Sequence, residues 1–271
     1  GASPARAGDV APSAGDYHSI QEAIDAHPGK LVWVPAGDHE IADKIRLHTD
    51  RGGLYGPGRI VQTNPGVPII EIEHARGVRV RDLTLTRPED RAETESEGIL
   101  AIDCRDLDIA DVEIRDNRTR SAALVLRSCD GARVRGCQIH NYMRITVDDR
   151  TDSGDWGYAF RSIDGSGIIV RGGRGMRVEG NRIVEDRLRP TPEIQQRYHL
   201  GEFVKRNPVK GALISQETWD RGTVNNWHQG SAIVLTDPEA TDCAQVIGNT
   251  IEHAAQGIDI HADHDIVAQN I

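Results

Sequence analysis

Apolar and polar positions along the chain recur in one repeating phrase. A short run with two inward apolar residues leads through a turn into a second run of the form V-x-G/D-N-x-I. The second runs begin at Val80, Ile109, Val134, Val178, Val246 and Val267, so the steps between them are 29, 25, 44, 68 and 21 residues. Three steps are one unit long, and two are a unit plus an insertion. The first runs are Ile70-Glu71-Ile72, Leu100-Ala101-Ile102, Leu124-Val125-Leu126, Ile168-Ile169-Val170, Ile233-Val234-Leu235 and Ile258-Asp259-Ile260. Their period of two points the outer residues of each triplet inward and the middle one outward. The fourth residue of the second runs reads Leu83, Val112, Cys137, Asn181, Asn249, Asn270. A stacked column ending in three asparagines predicts an internal amide ladder at a turn. An internal period of 21 to 30 residues predicts an all-β solenoid of at least six rungs.

The start of the chain predicts a cover for the first rung. Ser19 to His27 reads as a short helix, with Ser19 at the N-cap, Glu22 at the capping-box position, and Ile20, Ala23 and Ile24 on one face. Residues 1–15 read as a flexible segment, and 16–271 as one domain. The rung pattern runs up to Ile271. A bare last rung leaves unpaired edges, which predicts either a chain cut short or a partner, such as a second copy, at that end.

The segment Ser19-Ile20-Gln21-Glu22-Ala23-Ile24, with Trp33-Val34-Pro35-Ala36-Gly37 after it, resembles the N-terminal cap and first strand of the pectin-lyase-like superfamily. The rungs from Val80 to Ile271 resemble that superfamily's repeats. The resemblance covers nearly the whole chain. It implies a right-handed parallel β-helix with an N-terminal helical cap, and a secreted or periplasmic protein that acts on polysaccharide. The superfamily includes polysaccharide lyases, uronate epimerases, glycoside hydrolases and phage tailspikes, so the fold alone does not select the activity.

Composition narrows the classes. Aromatic residues make up only 4% of the chain, which suits thin layers of Val, Ile and Leu more than a broad globular core. The net charge of −10 argues against a nucleic-acid partner. No apolar run approaches the roughly 20 residues of a membrane span. The cysteines Cys104, Cys129, Cys137 and Cys243 match no metal spacing and are expected to be buried free thiols.

Two insertions break the repeat, at about 141–165 and 185–230. Both fall between a second run and the next first run, so they are expected to project from one side and frame a groove. The outward columns of the first runs then carry the candidate chemistry. One reads Glu71, Ala101, Val125, Ile169, Val234, Asp259, and the next Glu73, Asp103, Arg127, Arg171, Thr236, His261. Asp259 and His261 share a face, and an Asp beside a His orients it for proton exchange near neutral pH. The stretch Gly257-Ile258-Asp259-Ile260-His261-Ala262-Asp263 resembles the Asp-Pro-His-Asp/Glu motif of alginate C5-epimerases, where these residues act in catalysis on a uronate. The match covers Asp259 and His261, with Asp263 shifted by one place and Ile260 standing where the family has Pro.

Other residues fill out the expected groove. Trp156, Tyr158, Trp227 and His228 lie in the insertions, where an indole face either stacks on a sugar ring or pins its loop. The acidic run Asp148-Asp149-Arg150-Thr151-Asp152-Ser153-Gly154-Asp155 is a candidate Ca²⁺ loop, although no EF-hand spacing is present. A lyase or epimerase needs a cation at the uronate carboxylate, from Arg171, Arg127, Lys205, Lys210 or Arg161, and a base such as His261. A hydrolase instead needs two carboxylates, for which Asp237, Asp259 and Asp263 are candidates. A glycan-binding spike needs only the groove and the aromatic rings. The reading favoured by the columns is a uronate lyase or epimerase.

Overall fold

A computed structural model describes residues 11–271; most of the 1–15 segment therefore lies outside the described residues. The chain coils through three parallel sheets in a fixed order. Among the described residues they hold eight, seven and seven strands, each pairing with the strand one turn before and one turn after it. Sheet I runs from Leu31–Trp33 to Ile266–Ala268, sheet II from Gly37–Ile41 to Thr250–Glu252, and sheet III from Ile45–Leu47 to Gln256–Ile260. This is a parallel β-helix.

The sequence phrase folds with one difference from expectation. Each V-x-G/D-N-x-I run is two strands, not one. Arg79–Arg81 belongs to sheet I and Thr84–Thr86 to sheet II. The third residue of the phrase bends the chain between them in the left-handed region: Asp82 (φ 59°), Asp111 (55°), Gly136 (63°), Gly180 (63°), Gly248 (66°) and Gln269 (56°). A β-carbon on Gly136 would meet the Asp111 carboxylate at 2.4 Å, so a side chain there must displace its neighbour.

The fourth residue then points into the coil. Leu83, Val112, Cys137, Asn181 and Asn249 are all essentially inaccessible, and the expected amide ladder is present. Asn181 Nδ2 donates to Asn249 Oδ1 (2.9 Å), and Asn249 Nδ2 to Asn270 Oδ1 (2.9 Å). Each Nδ2 also donates to the carbonyl of the preceding turn, at Val134, Val178 and Val246. Buried amides are tolerated because both ends are satisfied.

Register in sheet III corrects one triplet. Ile99 pairs with Ile70 and Leu124, and Leu100 with Glu71 and Val125. The inward pair is therefore Ile99 and Ala101, with Leu100 and Ile102 facing out. The continuous run Ile99-Leu100-Ala101-Ile102 obscures the phase, because every residue in it is apolar. The outward columns become Glu71, Leu100, Val125, Ile169, Val234, Asp259 and Glu73, Ile102, Arg127, Arg171, Thr236, His261.

The first rung is covered as expected. The helix Ile20–Ala26 buries Ile20, Ala23 and Ile24, and the Ser19 hydroxyl accepts from Glu22 N. Gln21 pairs its amide with both backbone groups of Arg46 (2.8 and 3.3 Å), on the first strand of sheet III. The Pro12 carbonyl accepts from Trp33 N at 2.8 Å, so the chain from Ala11 onward lies against sheet I. Of the four thiols, Cys104, Cys129 and Cys137 are buried and Cys243 is exposed.

Candidate functional site

Both insertions leave the coil after a sheet II strand and return into a sheet III strand. They also join each other. Arg144–Asp149 pairs antiparallel with Tyr158–Asp164, and that strand pairs with Phe203–Arg206 of the second insertion. Two short helices, Pro192–Tyr198 and Gln216–Arg221, complete the unit. Tyr158, Phe160, Ile214 and Trp219 form a core separate from that of the coil. Tyr158 and Phe203 stack at 4.4 Å.

The aromatic candidates take up positions inside this packing. Trp227 is 6% exposed and belongs to the coil's core; its carbonyl accepts from Ile163 N. His228 packs edge-on against it at 5.0 Å, with a buried Nδ1 that has no partner among the described residues. Trp156 is partly exposed, but the Arg150 guanidinium lies over its ring at 5.2 Å. The acidic run is likewise engaged. Asp148 binds Arg150 and Gln229, and Asp149 binds Thr151 and Lys205. Among the described residues no group of three or more His, Cys, Asp or Glu side chains converges to hold a metal ion; within the candidate Ca²⁺ loop, Asp148 and Asp149 are engaged by local groups and cations.

The outer face of sheet III keeps a different arrangement. Asp259 and His261 meet, with Nε2 to Oδ1 at 3.1 Å and the side chains 41% and 64% exposed. His261 is held in line by its backbone N–H, which donates to Leu235 O at 2.7 Å. In the same outward column, Arg127 pairs with Arg171 and Arg171 with Thr236. Both arginines are exposed. The column thus reads cation, cation, hydroxyl, imidazole, at about 4.8 Å per rung. Beside it runs the apolar strip Leu100, Val125, Ile169, Val234, which ends at Asp259.

The other candidate cations are occupied elsewhere. Lys205 pairs with Asp149 at 3.0 Å, Lys210 donates to the Gly211 and Ile214 carbonyls, and Arg161 donates to Tyr198 O. Asp237 is exposed, in the left-handed region (φ 71°), where the strand leaves its register. Arg171 pairs with Thr236 and Gly173 with Thr241, so residues 237–240 bulge out of the ladder. Asp263 forms a backbone β-bridge with Asp242, whose carboxylate binds Arg174 (2.8 Å) and His264 (3.0 Å).

One carboxyl escaped the sequence reading. Asp164 ends the first insertion, immediately before the sheet III strand, and accepts from Gly165 N at 2.7 Å. Burial, reinforced by the charge of Asp148, raises its pKa, while the Gly165 N–H and Arg120 oppose the rise. The only trace of it in the sequence is an Asp-Gly step at the insertion's return.

No family model and no curated protein matches the chain. Several solved structures resemble it. An alginate lyase from Paenibacillus sp. FPU-7 has 12% identity and a TM-score of 0.38, covering 95% of this chain and 96% of that one. The A-module of mannuronan C-5 epimerase AlgE6 from Azotobacter vinelandii has 12% identity and a TM-score of 0.35, covering 96% and 98%. The catalytic unit of a GH87 α-1,3-glucanase from Streptomyces thermodiastaticus has 13% identity and a TM-score of 0.38, covering 93% of this chain. The chain spans 56% of that glucanase unit and 62% of a Geobacillus virus E2 protein, ORF18. These are likenesses of fold alone.

Proposed function

We propose that the chain acts on an extracellular uronate polysaccharide lying along the outer face of sheet III, as a lyase or C5-epimerase. The observation that carries this reading is the Asp259–His261 contact at 3.1 Å, in line with the exposed Arg171 and Arg127. Asp259 orients the imidazole, and the neutral ring accepts the C5 proton of a uronate. Arg171, two rungs or about 10 Å away along the axis, faces the sugar carboxylate and offsets the charge that builds there as C5–H breaks. If the electron pair then forms the C4–C5 double bond and expels the 4-oxygen, which takes a proton from the His261 imidazolium or from water, the products are an unsaturated uronide and a new chain end. If water instead delivers a proton to the opposite face of C5, and His261 later releases its own to solvent, the product is the epimer. The apolar strip beside the column suits the C–H faces of sugar rings.

The test is turnover of alginate and polygalacturonate by the wild type and by His261→Ala. It is read as ultraviolet absorbance for elimination and as NMR anomeric signals for epimerisation. Activity in the wild type that falls by 100-fold or more in the variant, with unchanged circular dichroism, supports the assignment. A fully active His261→Ala protein removes the residue from the mechanism.

A further inference from the structure

We propose that a second site, an arginine-lined pocket on the outer face of sheet II, binds a carboxylate-bearing sugar. The pocket has a volume of about 590 Å³, within the range of small-molecule sites. It lies on a different sheet from Asp259 and His261, and it does not rest on the catalytic reading above.

Three kinds of element build it. Strand residues Arg59, Thr84, Glu113 and Arg115 form the floor, where Thr84 pairs with both Arg59 and Glu113 across adjacent rungs. Arg118 comes from the two-residue strand Arg118–Thr119 that follows, which pairs with Glu93–Thr94. Arg187 comes from the root of the second insertion, so the inserted unit closes one wall.

The charge of this pocket runs against that of the molecule. The chain carries a net −10, yet the pocket gathers five arginines (Arg87 is the fifth) and three carboxylates, Glu89, Glu113 and Asp116. The arginines differ in what they have left to offer. Arg87 is spent on structure, with Nε on Asn117 and its amino groups on the Asn64 and Val67 carbonyls. Arg115 gives one edge to Glu113 and keeps the other free. Arg187 makes no side-chain hydrogen bond or ion pair among the described residues. Arg118 is 8% exposed; one amino group binds Asp116 at 3.0 Å, and its buried Nε has no partner among the described residues. A buried N–H without an acceptor is uncommon and calls for one from outside the protein.

The mixture selects the ligand. Free guanidinium edges match a carboxylate, while Thr84, Thr86 and the interspersed carboxylates suit sugar hydroxyls. A dianionic phosphate would gain the arginines but would face Glu89, Glu113 and Asp116 at close range. A monoanion rich in hydroxyls, such as a uronate unit, uses both sets.

The experiment is isothermal titration calorimetry with tetragalacturonate and tetramannuronate, with cellotetraose as the neutral control and inorganic phosphate as the simple anion. It uses the wild type, Arg187→Ala, Arg115→Ala and, as the control, Arg177→Ala at low and at raised salt. The expected result is binding of a uronate tetramer that weakens with salt. Affinity falls tenfold or more in Arg187→Ala and Arg115→Ala and is unchanged in Arg177→Ala, an exposed arginine on sheet I. Among the described residues the Arg187 side chain makes no hydrogen bond or ion pair, so its variant keeps the test open if Arg115→Ala fails to fold. Equal binding of cellotetraose, tighter binding of phosphate, an equal loss in Arg177→Ala, unchanged affinity in Arg187→Ala and Arg115→Ala, or no uronate binding would each overturn the proposal.

Discussion

The coil and the inserted unit are stabilised in different ways. In the coil, each residue contacts its own equivalents one turn above and below, as in the Asn181–Asn249–Asn270 ladder. Contacts are repeated, and stability is spread over columns. In the inserted unit nothing repeats. Its core depends on particular rings, such as the Tyr158–Phe203 stack and the Arg206–Trp219 contact at 5.6 Å. The difference teaches that the Asp259–His261 contact sits on the repeating part of the molecule, while the non-repeating part contributes Arg187 to the pocket on sheet II.

Four substitutions break or sharpen this contrast. The largest effect is expected from Asn249→Ala. It removes an amide that accepts from Asn181 and donates to Val178 and Asn270. Leaving those buried groups unpaired costs about 4 kcal/mol, seen as a lower denaturant midpoint for the whole coil. Glu185→Ala attacks the joint between the two regions. The fully buried Glu185 carboxylate accepts from the backbone N–H groups of Met143, Arg187 and Leu188 at 2.9–3.0 Å. Its loss is expected to cost about 3 kcal/mol, with hydrogen exchange rising first at the insertion roots.

Phe203→Ala separates the regions. It should loosen the inserted unit by about 2 kcal/mol, because the ring is only partly buried. Amide exchange over 158–164 should rise, while the melting of the coil hardly moves. A large global shift would show that the two regions unfold as one.

The smallest effect concerns pH, where the two regions have opposite signs. In the coil, burial pushes Asp108 up, but Arg135 and Arg81 outweigh it and hold its pKa below the ordinary 3.8. Asp108 therefore stabilises the fold above that value, and its contribution is lost as pH falls through the lower folded pKa. At the joint, burial raises Glu185 above its ordinary 4.5 despite three N–H donors. There the folded state holds its proton longer, and stability declines as pH rises through the folded pKa. Asp108→Asn should remove about 1 kcal/mol at neutral pH, given the partial exposure. It should also flatten the acid limb in denaturation series from pH 5 to about 2, the range over which the contribution is lost, and unchanged acid sensitivity would break the assignment.

The sequence made the coil legible because a column of like residues is a column of like letters. The asparagine ladder, the capping helix and the shared site of both insertions could all be read that way. Register was lost only at Ile99-Leu100-Ala101-Ile102, where an unbroken apolar run hides the phase. The Asp259–His261 contact was legible as two residues two apart on a strand. The pairing of the two insertions into one sheet was not, because residues 158 and 206 are brought together by aromatic packing that has no period. Asp164 and the arginine pocket stayed hidden for the same reason: each is assembled from segments far apart in the chain, and each is defined by burial and leftover hydrogen-bonding capacity.

The parallel ladders have a mechanical consequence. Every interstrand hydrogen bond in the three sheets points along the coil's axis, from one turn to the next. Tension applied end to end therefore loads only the bonds between two neighbouring turns at a time, as in peeling tape. Tension across the axis must shear whole strands against their neighbours. The molecule is expected to yield turn by turn when stretched along its length and to resist far larger forces applied from the side.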